Sequence, residues 1–454
     1  MKPLGWKIVV VTDVGVDPGE RRRVTPAEAD TWLASLNAGA DVPAKAGGAS
    51  VRMPLTSPTA FEPPAVAAWL AAQGAPNGAD AVDAVLHHPS FQRVEAAWRG
   101  MKLLLAQAGD RVEIRLASMP RKNLAARFKE VVFLPEYHEA EPPSLIALDF
   151  EFGYKGDDLA TLNELGSMAK VLQAPVVAQA SAGFFDFRYL VQIATLGELL
   201  PRLMDSNHSG WKTFQTTDPA RWITLTINRW LARAPYTAEA GGHAEKCAES
   251  NPDSYLWARG VWFAAAAVAR SVNTYGHALA IAGAQGGRFD NLPTRLYPGT
   301  KSQPAPLAAE APFAEMQVME LMRAGFAPIV APMSQNLAML ASAMSIFRLR
   351  PATPTIEGTL AYQLLAGRLA QTCARILDSL PGGDANATAA FVREQLLAFL
   401  GPLAGDAPDQ AVQVAVREEE MDGKRVRFAD VKVAPRVMLE GKPADFSFLL
   451  PLGN

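Results

Sequence analysis

Six histidines occur in the sequence, and His87-His88 is the one adjacent pair. Imidazoles suit metal binding and proton transfer. Neighbouring side chains on a helix point about 100° apart, so His87 and His88 cannot share one metal. The positions a helical turn further on are Ser90, Phe91 and Gln92, and none is acidic. The pair reads as a helix end ahead of Pro89. Asp149 and Glu151 alternate with Leu148, Phe150 and Phe152, as on a strand, so both carboxylates share one face. Such a pair can serve acid–base hydrolysis, or can simply meet a basic side chain. Gly283-Ala284-Gln285-Gly286-Gly287 invites a phosphate-loop reading, but no Lys-Ser/Thr follows and no helix is expected to open there. There is no Gly-x-Ser-x-Gly elbow. Cys247 and Cys373 are the only cysteines, which excludes a disulfide scaffold and Cys-rich zinc sites. No enzyme, cofactor or metal centre is expected.

The elements that carry these residues alternate between strand and helix. Residues 7–12 form a β-branched strand. Thr25-Pro26-Ala27-Glu28 has the cap, first-turn proline and acid of a helix start, predicted to reach Leu36. Residues 51–55 read as a short strand, and Gly74–Gly78 as a boundary. Helices are predicted over 79–85 and 91–105, then a strand at 111–116. Strand 145–152, helix 157–172 and strand 176–180 imply a parallel crossover unit. A strand at 222–227, a helix at 255–273, a strand at 277–282, a helix at 313–324 and a strand at 326–330 follow. Residues 303–312 read as a loop. Helices at 355–380 and 388–400 precede three strands, 410–417, 426–434 and 444–450. The Asp422-Gly423 pair after Glu418-Glu419-Glu420 reads as a solvated hairpin turn. The fold class is α/β, with mixed sheets, flanking helices and a C-terminal antiparallel β segment.

Composition narrows the function classes. The 454 residues are 49% apolar and 20% charged, as in a folded globular chain. The net charge of −3 argues against a general nucleic-acid surface. The longest uncharged stretch runs from Ala324 to Phe347, but Pro328, Pro332, Ser334, Gln335 and Asn336 interrupt it. It reads as a buried strand, a turn and a buried helix rather than a membrane span. The N-terminal apolar run is too short for a signal peptide, so cytoplasm is the expected location.

Several segments, taken in order, resemble one family. Leu86-His87-His88-Pro89-Ser90-Phe91-Gln92, followed by Glu95 and Trp98-Arg99-Gly100, resembles the His-His-Pro-x-Phe-Gln…Trp-Arg-Gly signature of the large contractile-sheath subunit of type VI secretion systems (TssC, or VipB). Asp149-Phe150-Glu151-Phe152 resembles its Asp-Tyr-Glu-Phe strand. Trp211 and Phe214, with Asp218 and Arg221-Trp222, resemble its Trp-x-x-Phe…Asp-x-Arg-Tyr segment. Leu231-Ala232-Arg233-Ala234-Pro235-Tyr236, Tyr255-Leu256-Trp257 and the Gly283–Gly287 run also resemble family motifs. The likeness is collinear over residues 81–454, with a β-rich part at 410–454. Residues 1–74 resemble, more briefly, the opening of the small sheath subunit (TssB, or VipA): Lys7 to Asp13, Arg23-Val24-Thr25, and Asp30-Thr31-Trp32-Leu33.

The resemblance implies a structural subunit of a phage-tail-like sheath, here a fused small and large subunit. Its partners would be copies of itself or other sheath, baseplate and inner-tube proteins. It also implies strand exchange between neighbours, yet the donor segments have no clear counterpart here. A homologue that has stopped polymerising and serves as an adaptor is the alternative. An unpaired C-terminal edge would then be blunted by Arg425, Arg427, Asp430 and Lys432, which alternate along strand 426–434. Trp98 and Trp257 are expected to be core anchors.

Overall fold

The computed structural model describes residues 4–14, 21–25, 39–43, 50–75, 78–248, 251–298, 303–381, 384–421 and 424–453. The helix expected over Thr25–Leu36 lies outside the described residues, apart from Thr25 itself.

A nine-stranded mixed sheet organises the molecule. Its strands are β1 (Trp6–Thr12), β2 (Arg21–Val24), β3 (Val112–Ser118), β4 (Leu145–Phe152), β5 (Val176–Ala180), β6 (Ile223–Ile227), β7 (Arg288–Phe289), β8 (Phe326–Val330) and β9 (Ala338–Leu340). They lie in the order β7-β9-β8-β6-β5-β4-β1-β3-β2. Strands β8, β6, β5, β4, β1 and β3 run parallel. The other three attach antiparallel at the two ends. The N-terminal segment is therefore threaded into the sheet. Its strand β1 sits between β3 and β4, with Ile8 opposite both Ile114 and Leu145.

A strand in that position is covered on both faces, so it must be apolar throughout. Ile8 and Val10 join one core, and Val9 and Val11 the other. Lys7 opens the strand and is buried, and it is held by Glu136 at 2.7 Å and Glu139 at 2.9 Å.

Helices cover both faces. The first core takes α1 (Pro63–Ala72), α2 (Ala79–Leu86) and α3 (Pro89–Ala108) among its helices, and the second takes α4 (Asp157–Leu172) and α5 (Ser209–Gln215). Helix α6 (Gly260–Tyr275) is Ala-rich and buried nearly all round, since it lies between α3 and the sheet. Helix α7 (Glu315–Arg323) precedes β8, and α8 (Leu360–Asp378) and α9 (Ala385–Leu400) lead to a separate antiparallel sheet. That sheet has the order β10 (Val412–Met421), β11 (Lys424–Val433), β12 (Phe446–Gly453). No helix among the described residues is long and apolar enough to cross a membrane.

Four local expectations are corrected. Residues 255–259 are extended, with Trp257–Arg259 paired to Arg229–Leu231, and the helix begins only at Gly260. A Cβ on Gly260 would lie 2.5 Å from the Ile329 Cδ1 atom, so this close approach to the sheet requires glycine. Residues 277–282 form a loop instead of a strand. Gly276, at φ 78°, ends the helix, and the Ser271 hydroxyl ties the loop by donating to the His277 carbonyl. After β8 the chain forms strand β9 instead of a buried helix, because Ala338–Leu340 completes the ladder beside Ile329 and Val330. Within the expected 303–312 loop, Ala305–Leu307 pairs with Arg295–Tyr297.

Candidate assembly surface

The His-His-Pro segment is the joint between two helices. His87 ends α2, and His88 caps α3, its Nδ1 accepting from the Ser90 amide at 3.3 Å. Pro89 takes the first helical position, where a missing N–H costs nothing. Phe91 and Trp98 turn inward onto Phe61, at ring distances of 5.6 and 5.7 Å. Gly100 exists for contact: a Cβ there would sit 2.4 Å from the Trp262 ring on α6.

Charge is buried beside this joint. Glu95, fully buried, accepts from Arg99 at 2.8 Å and from Arg233 at 2.9 Å. Arg233 continues to Glu245 at 2.6 Å, and Glu245 meets His87 at 3.0 Å. Burial pushes the Glu245 carboxyl up, but His87 and Arg233 outweigh it and hold it down at about 2. Sequence reasoning missed this network, since Glu245 lies far along the chain from His87 and no local spacing announces it. His87, Glu245 and Cys247 lie close enough to hold a metal, yet their chemistry opposes it. Both Glu245 oxygens already accept from the Arg233 guanidinium, and the Cys247 thiol donates to the Ser254 carbonyl.

The motif residues divide between the two faces of the sheet. Tyr255 and Trp257 belong with the α3 side: the Gln92 amide donates to the Asp253 and Tyr255 carbonyls. The Arg295 guanidinium lies over both of their rings, at 5.1 and 5.4 Å. Trp211 and Phe214 lie on the opposite face, where Trp211 stacks on Phe326 at 5.6 Å. Arg221 covers the Phe347 ring at 3.9 Å. These residues build interior rather than surface.

Asp149 and Glu151 do face the same way, and one guanidinium answers both. Arg259 donates to Asp149 at 3.2 Å and to Glu151 at 3.3 Å. Asp149 is buried, and burial pushes its carboxyl up despite Arg259. The pair is thus a bridge to the start of α6. The Gly283–Gly287 run makes one helical turn packed on its own chain, where a Cβ on Gly287 would lie 2.4 Å from the Leu340 carbonyl oxygen.

The C-terminal sheet is separate from the nine-stranded sheet and has two edges of its own. Strands β10 and β12 are its edges, and β11 lies between them. This corrects the edge-blunting role expected for Arg427, Asp430 and Lys432, whose stretch of β11 is paired on both sides, while Arg425 pairs with Glu420 of β10 alone. Nor do they share a face. Arg427 turns inward and donates to the Thr388 hydroxyl of α9 at 3.0 Å, while Asp430 and Lys432 are exposed. The Arg425 side chain lies outside the described residues. On edge strand β12, Leu449 is half exposed.

Residues 79–347 match the sequence family described as VipB, the EvpB/VC_A0108 tail sheath N-terminal domain. The chain belongs to this tail-sheath family. Among relatives, the type VI secretion system sheath protein TssC1 of Pseudomonas aeruginosa is 25% identical over 314 residues. That match covers 63% of this chain and 62% of the relative, less than two thirds of its length. The crystal structure of the sheath tail protein from Desulfitobacterium hafniense aligns with a TM-score of 0.49 at 7% identity, over 100% of this chain and 97% of that one. Every motif residue from His87 to Trp257 falls inside the family stretch, whereas the β10–β12 sheet lies beyond it.

Proposed function

We propose that this chain is a structural subunit of a contractile sheath of the type VI secretion, phage-tail-like kind. Membership of the tail-sheath family carries the reading. Supporting it, the motif residues serve to fix the subunit's interior, and the two candidate acid–base carboxylates are both engaged by Arg259. We assign no catalytic role. Residues 1–74 act as a small-subunit-like part fused to a large-subunit-like core over 81–454. The insertion of β1 between β3 and β4 supports this, since a strand in the centre of a sheet cannot be dispensed with.

The mechanism is mechanical. Copies stack through repeated heterologous contacts into rings or tubes, and an extended and a contracted arrangement of those contacts differ in free energy. The partners are copies of this chain and other sheath, baseplate or inner-tube proteins, in the cytoplasm. Neither nucleic acid nor a membrane is engaged. The edges of β10 and β12, with Asp430 and Lys432 on the adjoining face, are where a neighbour attaches. Sedimentation velocity of the purified chain tests this. The reading expects a fast-sedimenting, high-order species; a single slow boundary at every concentration favours the adaptor instead.

A further inference from the structure

A cavity of about 220 Å³ opens between α8, α9 and the start of β1. Its walls are mostly apolar, with Trp6, Leu364, Leu365, Phe399, Leu400 and Leu403 contributing, and His277, Thr372 and Gln395 add polar groups. Two arginines line it as well, Arg368 and Arg375. Arg368 is 3% exposed. Its guanidinium lies over Trp6 and donates to the Gln371 amide oxygen and the Gly5 carbonyl, both at 2.8 Å. Both acceptors are neutral. The Arg375 Nη1 is buried with no hydrogen-bond partner. Among the described residues, neither guanidinium has a carboxylate at ion-pair distance.

A buried cation without an anion is costly unless something else neutralises it. Arg348 shows how this chain otherwise solves the problem. It too is buried, but it donates to the carbonyls of Met322 and Arg323, the negative end of α7, and to those of Ser345 and Phe347. Arg368 makes no such bond to a helix-terminal carbonyl among the described residues, although the ends of α9 (Leu400) and α6 (Gly276) share its cavity. Burial pulls its guanidinium down to about 10, Glu141 opposes the shift, and the like charge of Arg375 adds to it. Glu141 acts on Arg368 without pairing with it, so among the described residues neither cation at the cavity wall has a directly paired carboxylate.

We propose that this cavity binds a small monocarboxylate with an apolar body, its carboxylate between Arg368 and Arg375 and its body against Trp6 and the leucines of α8 and α9. The chemistry is a charge-assisted, fork-shaped contact at one end and burial of apolar surface at the other. An isolated phosphate would leave the apolar walls unused, and a neutral alkane would leave the arginines unpaired.

Titration calorimetry of the full chain with sodium octanoate, octanol and octylamine near neutral pH tests the proposal. Saturable one-site binding of octanoate is expected, at least about tenfold tighter than octanol, with no octylamine binding. Arg375→Gln, a change at a half-buried position, should reduce octanoate to the level of octanol. Ala398→Trp, at an exposed wall position, should block both. Circular dichroism verifies that the variants fold, and the octanoate-to-octanol ratio in the unsubstituted chain stands independently of them. Absent saturation, equal affinity for octanoate and octanol, or an unchanged affinity in Arg375→Gln overturns the site. Tighter binding of acetyl-Leu-Glu-Leu-amide than of octanoate, lost in the same variants, also overturns it and assigns the cavity to a polypeptide partner.

Discussion

Replacing Glu245 by glutamine removes one charge from the buried chain that links Arg99, Glu95, Arg233, Glu245 and His87, and keeps its shape. The carboxyl is held at about 2 against an ordinary 4.5. A group depressed in the folded state stabilises above its unfolded pKa and loses that contribution as pH falls through the folded one. The depression corresponds to about 3 kcal/mol, present at pH 7 and lost between roughly pH 4.5 and pH 2. The side chain is only 2% exposed, so little of this is screened away. A chain of 454 residues has an unfolding entropy of about 1 kcal/mol/K, so Glu245→Gln should melt about 3 °C below wild type at pH 7. Thermal unfolding followed by tryptophan fluorescence, from pH 7 down to about pH 3, reads the gap. It should narrow as wild type loses its advantage. A gap under about 1 °C at pH 7, or one independent of pH, would refute the claim that this carboxylate holds Arg233 and His87 in place.

Three further substitutions probe core and edge. Trp98→Ala removes a 5%-exposed ring packed on Phe61 and should cost about 3–5 kcal/mol in thermal or urea unfolding. A loss under about 1 kcal/mol would make Trp98 a contact residue instead of a core one. Gly100→Ala forces a methyl group into Trp262 and should cost about 1–3 kcal/mol, while an unchanged Tm would mean that α3 and α6 can separate freely. Leu449→Lys places a charge on edge strand β12 and should leave the melting curve intact while reducing the high-order species seen by light scattering. Undiminished assembly would move the contact away from that edge.

Legibility in the sequence followed local signal. Strands 145–152 and 176–180, helix 157–172 and strand 326–330 keep the bounds expected of them, because each is an uninterrupted apolar run or a clear helical period between turn residues. Strand β9 was hidden: three residues carry no period, and its existence depends on the Ile329–Leu340 pairing. The start of α6 was misplaced by Tyr255 and Trp257, aromatics that suit helix and strand alike. The place of β1 in the middle of the sheet is topology, which no local pattern contains. The same holds at the motifs. Asp149 and Glu151 were legible as a face-sharing pair, but Arg259 stands 110 residues from Asp149. The histidine pair was legible as a helix joint, but Glu245 stands 158 residues from His87.

Copies of this chain that build a sheath must form particles far larger than one subunit. Light scattering after size exclusion, with negative-stain imaging of the same sample, tests it most directly. Rings or hollow tubes made of this chain are expected. A monodisperse particle of 48.7 kDa, unchanged as concentration rises, would contradict it.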